Sequence, residues 1–503
     1  MPSLLGIDNG LTVTKAVIFD VSGSVLAVAR RRVPQLMPQA HHVEREMAGL
    51  WVATAEAVSE AVALSGRPAS DILAVAATAH GDGLYLPDAD CQPLGPGILS
   101  LDSRAGGVVA GWALDGTAQA ALALTGQMPH ASAPSALLAW VKRHEPNRYS
   151  RIHHILACKD WLRFCLTGVV GTDRTEASTS FTNVATQTYD PAALALFGLG
   201  DLGHALPPVS EPSAIVGHVS AQAAALTGLA KGTPVIAGLH DVTASSLGIG
   251  GHVSGVVAIV AGTYSINEVV SDYPHPDPRW FCRNAILPGQ WHNMAISPAS
   301  AANYDWFLDT LCAVERDQTS GQSIHALLVP EIEAALSRAS TAMFHPYLFG
   351  SPHGPQASAS FTGLRGWQNR GDMLRAVLEG IAFNHRVHVD ALRDGFAVRE
   401  ARLTGGISRN PAFAQLFADV LGMPVTVTET DEAAAWGAAL CAGAGVGICA
   451  SPFHDPRDLA ALETRYQPAH SAAMQTRYSC FATLPPPWRR CGPGSRRSHD
   501  PRH

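Results

Sequence analysis

Two segments of this chain constrain what it can become. Residues 4–20, LLGIDNGLTVTKAVIFD, read as a short apolar strand, Asp8, a glycine turn, hydroxyls and Lys15, then a second apolar strand ending at Asp20. Residues 256–270, VVAIVAGTYSINEVV, repeat the strand–Gly/Thr–strand theme with Gly262 and Thr263 at the turn. Shortly before the second lies PVIAGLHDVTASSLGIG, which sets Asp241 at the end of an apolar strand. A chain that builds such a hairpin twice can grip a polyphosphate from two sides, and a carboxylate between the two is where a general base would sit. The pattern points to phosphoryl transfer from ATP to a hydroxyl.

Composition narrows the alternatives. With 503 residues, 47% of them hydrophobic and 15% charged, the chain has enough apolar material for two full cores. A formal net charge of −7 argues against nucleic-acid binding, whose footprint is basic. The cysteines are scattered and none form a C-x-x-C pair, which reads as reduced thiols in a cytoplasm rather than a zinc ribbon. His385 and His388 sit at helical spacing with no carboxylate between them, so two polar contacts on a helix are the simpler reading than a metal site. The N-terminus opens on a strand with no basic-then-apolar signal segment, and no apolar run is expected to reach the ~18 residues of a membrane span.

Strand and helix signals alternate along the first half. The segment MAGLWVATAEAVSEAVALSG keeps Leu50, Ala53, Ala57, Val58 and Ala61 on one helical face, and KDWLRFCLTG reads as a helix stopped by Gly168. GIGGHVSG is a glycine-rich hinge candidate. Beyond it, NPAFAQLFADVLG predicts a helix capped by Asn410, opened by Pro411 and closed by Gly422. The expected organisation is an N-terminal domain over 1–245, a C-terminal domain over 246–470, and a tail over 471–503. PPPWRRCGPGSRRSHDPRH is too poor in apolar residues to bury a core and reads as disordered from about 485; a short basic arm and a shifted reading frame near Leu484 are the alternatives.

Four places carry chemistry. In IDNGLTVTK, Asp8 can hold Mg²⁺ directly or through water, while Asn9, Gly10, Thr12, Thr14 and Lys15 can face phosphates. Alone, this would be a plain hairpin with a tight turn. In GLHDVTASSLG, Asp241 can accept a hydroxyl proton or simply cap the following helix, and the two roles are compatible. In LTGGISRNPAF, Gly405 and Gly406 let a flat base or ribose approach bare backbone, or make an ordinary strand-to-helix turn. TAHGDG and ILSLDSRA each end a strand in groups able to bind hydroxyls, namely His80, Asp82, Asp102 and Arg104, or in exposed loop charge.

The ordered set of IDNG, ILSLDSRA, KDWLRFCLTG, GTPVIAGLHDVTASSLG, AGTYS and LTGGISRNPAFAQLFADVLGMPV resembles the FGGY carbohydrate kinases over residues 3 to 470. That resemblance implies an α/β, two-domain actin-like (ribonuclease-H-like) ATPase fold with ATP in the cleft and the sugar between the domains. It implies that Asp241 is the catalytic base and a metal-linked carboxylate with Asp8, and that Thr263 lies with Gly262 in the second phosphate loop. Gly405, Gly406 and Asn410 would approach adenosine. Gly81, Asp82, Asp102 and Arg104 would contact sugar, joined by His240 and Trp161. It also implies a small-molecule acceptor, no nucleic-acid or membrane partner, and a possible homodimer. Two departures stand out. Leu11 follows Gly10 where the family usually has a hydroxyl, and HGDG replaces the Gln-Met-His-Gly usual in D-xylulose kinases. The second resembles the L-xylulose and erythritol kinase branches, and KDWLRFCLTG and HALPPV resemble the L-xylulose kinase branch. A silent sugar sensor and an actin-like ATP switch on the same fold are the competing readings.

Overall fold

Leu4, Leu5 and Ile7, and then Ala16, Val17, Ile18 and Phe19, are all buried. Continuous burial of this kind marks strands covered on both faces. In the computed structural model, which describes residues 2–318, 324–351, 357–430 and 432–483, they lie on β1 (Ser3–Asn9) and β2 (Val13–Asp20). By proximity of Cα atoms the chain divides into two units. The first comprises residues up to Ser254, with Val269–Met294 and Thr430–Leu462; the second comprises Gly255–Glu268, Ala295–Glu429 and the described chain from Glu463 on.

The first unit is organised by a six-stranded sheet that adds β3 (Val25–Arg32), β4 (Ile72–Ala79), β5 (Ile215–His218) and β6 (Pro234–Ile236), in the order β3-β2-β1-β4-β6-β5. β1 is antiparallel to β2 and parallel to β4, and β4 is parallel to β6. The C-terminal ends of β1, β4 and β6 therefore share one edge, where ligands of open α/β sheets bind.

Helix α1 (Met47–Leu64) has 18 residues and a mean hydropathy of 1.3, so one described helix is long and apolar enough to cross a membrane, contrary to expectation. Its Ala57, Val58 and Ala61 are buried in one cluster with Ile7, Ile18 and Val75, which makes it a cover for the sheet. Helix α2 (Cys158–Thr167) ends at Gly168 in the left-handed conformation, and α3 (Asp241–Gly248) starts just after β6. The small-residue helix Ala433–Gly445 packs against β1 and α3 so closely that Cβ atoms on Gly6 and Gly248 would lie 2.2 and 2.0 Å from its carbonyl oxygens.

The second unit repeats the scheme. β7 (Val256–Ala261) is antiparallel to β8 (Ser265–Ser271) and parallel to β9 (Glu400–Thr404), which is parallel to β10 (Val425–Thr428); β11 (Glu463–Tyr466) closes the run β8-β7-β9-β10-β11. A hairpin followed by parallel strands, built twice, is the actin-like (ribonuclease-H-like) α/β fold. Helix α4 (Arg370–Gly395) opens with a capping box between Asn369 and Asp372. Its His385 contacts Asn267 at 2.8 Å and Ser300 at 3.0 Å, and His388 contacts Ser297 at 2.9 Å, so both are polar core contacts. Helix α5 (Pro411–Leu421) is capped by Asn410 and closed by Gly422 in the left-handed conformation. The expected tail is ordered over Ser471–Thr483, where Arg477 pairs with the buried Glu379. The disorder expected from 485 falls outside the described residues.

Candidate active site

The turn expected to face phosphate joins β1 and β2. Register pairs Asp8 with Lys15 across the hairpin. Lys15 Nζ lies 3.5 Å from Asp8 Oδ2 and 2.9 Å from Glu432 Oε2, and Glu432 also pairs with Arg30. Burial lifts the Asp8 carboxyl above its ordinary value, against the opposing pull of Lys15. A desolvated carboxylate of this kind gains from a cation. Gly10 and the exposed Thr12 form the tip.

Two members of this loop turn away from it. Asn9 is fully buried, and its Oδ1 accepts from Arg45 Nη1 at 2.9 Å and from the Cys158 thiol at 3.3 Å. Thr14 is buried too, its hydroxyl 3.3 Å from that of Thr54 on α1. The strand register points Thr14 at the helix, while the Asn9 Nδ2 donor is buried without a hydrogen-bond partner among the described residues.

A second group of polar side chains gathers at the ends of β4 and β6. His80 is buried and neutral, with burial bringing it down to about 3, and its Nε2 lies 3.3 Å from the Tyr85 hydroxyl. Gly81 faces His240 so closely that a Cβ there would sit 1.7 Å from His240 Nε2. Asp82 has φ +56°, a left-handed conformation uncommon outside glycine. Its Oδ1 accepts from Arg283 Nη2 at 2.9 Å and its Oδ2 lies 3.7 Å from His130 Nε2. Burial raises the Asp82 carboxyl, but Arg283, His130 and His240 together hold it below the ordinary value. His240 is also buried and brought to about 3 by burial, then by Arg283. Its Nδ1 lies 3.2 Å from Asp241 Oδ1, which also accepts the Val242 amide at 2.7 Å. Asp241 is thus the first residue of α3, its carboxylate held by the first turn.

Asp102, Arg104 and Trp161 stand elsewhere. Asp102 Oδ1 accepts the Arg104 amide and Nε, both at 2.9 Å, and its Oδ2 accepts the Val43 amide at 2.7 Å. Arg104 Nη2 also donates to Glu44 at 2.6 Å, and the guanidinium lies over Trp140. The pair holds residues 43–44 through these bonds, while Arg104 Nη1 is buried without a hydrogen-bond partner among the described residues. Trp161 is buried and donates its indole N–H to Met47 O at 3.0 Å, so it is a core residue.

Sequence reasoning missed Arg283, His130, Gln127 and Glu176. Arg283 is buried in the strand Phe281–Asn284 and also donates Nε to Gln127 Oε1 at 2.9 Å. A charged residue inside an apolar strand segment was the available signal, since arginine is rarely buried unpaired. Burial pushes the Glu176 carboxyl well above its ordinary value despite Lys159, and Glu176 lines a cavity of about 40 Å³ with Asp82 and Asp160.

The second unit carries a turn and a cavity of its own. Gly262 and the exposed Thr263 form the β7–β8 turn, and Gly262 O accepts the Ala301 amide at 2.8 Å. At the neighbouring end of β9, Gly405 has φ +115°, and a Cβ there would lie 2.3 Å from Ala261 O. Asn410 Oδ1 accepts the Ala412 amide at 2.9 Å, completing the cap of α5. Gly406 and Asn410 open onto a cavity of about 490 Å³, lined also by Tyr304, His325, Leu378 and Phe413. That volume lies in the range of small-molecule and cofactor sites. Tyr304 and His325 were not singled out from the sequence.

Comparison with known proteins supplies independent findings. The N-terminal domain of the FGGY family of carbohydrate kinases matches residues 3–248, and its C-terminal domain matches residues 257–446. The chain is 33% identical over 463 residues to the L-xylulose/3-keto-L-gulonate kinase of Escherichia coli (strain K12), covering 90% of each. It is 30% identical over 461 residues to the erythritol kinase of Brucella abortus (strain 2308), covering 88% of this chain and 87% of that one. The crystal structure of xylulose kinase from Rhodospirillum rubrum superposes with a TM-score of 0.84 at 29% identity, covering 96% of this chain and 98% of that one.

Proposed function

Since the chain belongs to the FGGY family of carbohydrate kinases, phosphotransferases that act on a sugar hydroxyl, we propose that its acceptor is a pentulose of the L-xylulose kind and that Asp241 is the general base. The observation that carries this reading is the shared edge of β1, β4 and β6, which gathers Asp8, the His80–Asp82 turn and the His240–Asp241 pair. Asp82 and the neutral imidazoles of His130 and His240 offer acceptors and donors for several hydroxyls. The bare Gly81 and charged Asp82, where D-xylulose kinases carry Met-His, favour a different ketose. The names of the first relatives support L-xylulose, and the erythritol kinase relative supports a short polyol as the alternative.

In this mechanism Asp241 accepts the proton of the acceptor hydroxyl, whose oxygen attacks the γ-phosphorus as ADP leaves. The backbone around Gly10 and the Thr12 hydroxyl face phosphate oxygens, with Lys15 adding positive charge. Asp8 fits a Mg²⁺ ligand because it is a desolvated carboxylate at the sheet edge, and among the described residues no cluster of three or more His, Cys, Asp or Glu offers an all-protein cage. Mg²⁺ typically uses one or two carboxylates plus substrate phosphates, where it offsets their charge. In the second unit, adenosine occupies the cavity beside Gly406 and Asn410, with Gly405 allowing the close turn and Gly262–Thr263 reaching phosphate. The eight described cysteines are free thiols, which supports a reducing compartment such as the cytoplasm.

ADP release from MgATP across pentuloses, pentitols and tetritols tests the reading, with Asp241→Asn as control. We expect L-xylulose to be the best acceptor and Asp241→Asn to lose at least about a hundredfold in kcat while still binding acceptor. A polyol as best acceptor would replace the pentulose, and an active Asp241→Asn would remove the base.

A further inference from the structure

The four residues before Asp241 are held by three buried side chains from separate elements. Lys159, on α2, is fully buried and donates Nζ to Ala237 O at 3.2 Å and to Asp160 Oδ1 at 2.7 Å. Thr78, on β4, is also fully buried and donates its hydroxyl to Leu239 O at 2.7 Å. Thr175, 2% exposed, receives the His240 amide on Oγ1 at 3.0 Å. Between these tethers, Gly238 has φ +75°, and a Cβ there would lie 2.0 Å from Ala77 O. Backbone bonds from Ala237 N to Ala214 O and from Gly238 N to Pro212 O complete the set.

The Thr175 bond has a fixed direction. Asp173 Oδ2 accepts both the Thr175 amide at 2.7 Å and the Thr175 hydroxyl at 2.6 Å. A carboxylate only accepts, so the hydroxyl proton points at Asp173 and a lone pair is left for the His240 N–H. Lys159 Nζ lies 3.1 Å from the other oxygen of Asp173, so a buried cation stands beside the group that receives the Thr175 hydroxyl. The chain of contacts runs Lys159, Asp173, Thr175 and the His240 backbone, and it ends one residue before the base.

We infer that Thr175, oriented by Asp173 and Lys159, is a positioning residue for phosphoryl transfer: its hydroxyl fixes the His240 backbone and so the aim of the Asp241 carboxylate. The inference rests on the reading of Asp241 as base. It assigns the buried ionic group of α2 a role in turnover beyond core stability. Small misplacements of a reacting group cost large factors in rate, because the effective concentration of an aligned base falls steeply with geometry.

The test compares Thr175→Val, which keeps shape and removes the hydroxyl, with Thr175→Ser, which keeps the hydroxyl, and with Asp241→Asn. Steady-state kinetics and melting temperature are measured for each. Thr175→Val is expected to lose about tenfold or more in kcat, with KM for MgATP within about twofold of wild type. Thr175→Ser is expected to retain most of kcat. Wild-type kcat in Thr175→Val, with Asp241→Asn inactive, would overturn the inference and leave the base intact. Equal losses in the serine and valine variants would overturn it too, by assigning the effect to packing. An active Asp241→Asn would remove the premise instead. Should Thr175→Val fail to fold, Thr175→Ala against Thr175→Ser makes the same comparison at the same position. Equal kcat in that pair would overturn the inference.

Discussion

Gly81 and His240 compete for one volume. A Cβ on Gly81 would lie 1.7 Å from His240 Nε2 and 2.4 Å from its Cδ2, so the imidazole stands where any side chain at 81 would have to go. The ring is buried and neutral, beside Asp241 on one edge and acted on by the charges of Arg283 and Asp82. The glycine is thus the condition for a histidine in the acceptor group.

Gly81→Ala should therefore push His240 off its position. The expected result is a rise of about tenfold in acceptor KM, equivalent to about 1.4 kcal/mol, with little change in KM for ATP. Because the methyl acts through the ring, adding it to His240→Ala should cost much less than adding it to wild type. Additive effects of the two substitutions would separate the residues and refute the shared volume.

Arg283 should matter most at neutral and alkaline pH. Three neighbours hold Asp82 ionised against burial, Arg283 first among them. In wild type the folded pKa is depressed, so the pair's contribution is present above the unfolded pKa and is lost as pH falls through the folded value. Arg283→Met leaves a buried carboxylate with only neutral histidines nearby, which raises its folded pKa above the unfolded one. The sign then reverses, and stability falls as pH rises between those two values. Removing one partner of a buried pair costs about 3–5 kcal/mol. The melting-temperature deficit of Arg283→Met against wild type should be larger at pH 8 than at pH 5. Equal deficits would show that Asp82 is not left charged.

The two threonines of the first hairpin should separate cleanly. Thr14 faces Thr54, whose hydroxyl also donates to Leu50 O at 2.8 Å and so keeps a partner if Thr14 is lost. Thr14→Val should leave KM for ATP unchanged and shift stability by less than about 1 kcal/mol. Thr12→Val, at the exposed tip, should raise KM for ATP several-fold. A larger ATP effect from Thr14→Val than from Thr12→Val would restore the reading made from sequence.

These cases show what the sequence could and could not carry. Hairpins, the α5 cap at Asn410 and its stop at Gly422 were legible because each depends on residues within a few positions. The position of Asp241 at a strand-to-helix turn was legible because an apolar strand ends four residues short of the helix it opens. Thr14 was not, because β1 and β2 are covered on both faces, so alternation no longer says which side binds ligand. Arg283 was not, because its partner Asp82 lies 201 residues away in the chain. Asp102 and Arg104 show the opposite difficulty. Their chemistry suits a sugar, but at two residues' separation Asp102 takes up the Arg104 amide, Nε and Nη2, and nothing in a sequence states which donors are already engaged.

The adjacent glycines Gly405 and Gly406 give the sharpest contrast in the second unit. Gly405 has φ +115°, and a Cβ there would strike Ala261 O at 2.3 Å, so both backbone conformation and space forbid a side chain. Gly405→Ala should lower the melting temperature and impair ATP use together, since the turn cannot form without moving β7. Gly406 meets nothing within 4 Å at its would-be Cβ, yet it lines the 490 Å³ cavity. Gly406→Leu should therefore fold with nearly wild-type stability while its side chain takes up room that adenosine needs. KM for ATP should rise by about tenfold or more, with acceptor KM little changed. Thermal scans with kinetics on both substrates check the pair. An unchanged KM for ATP in a stable Gly406→Leu would exclude this cavity as the nucleotide site.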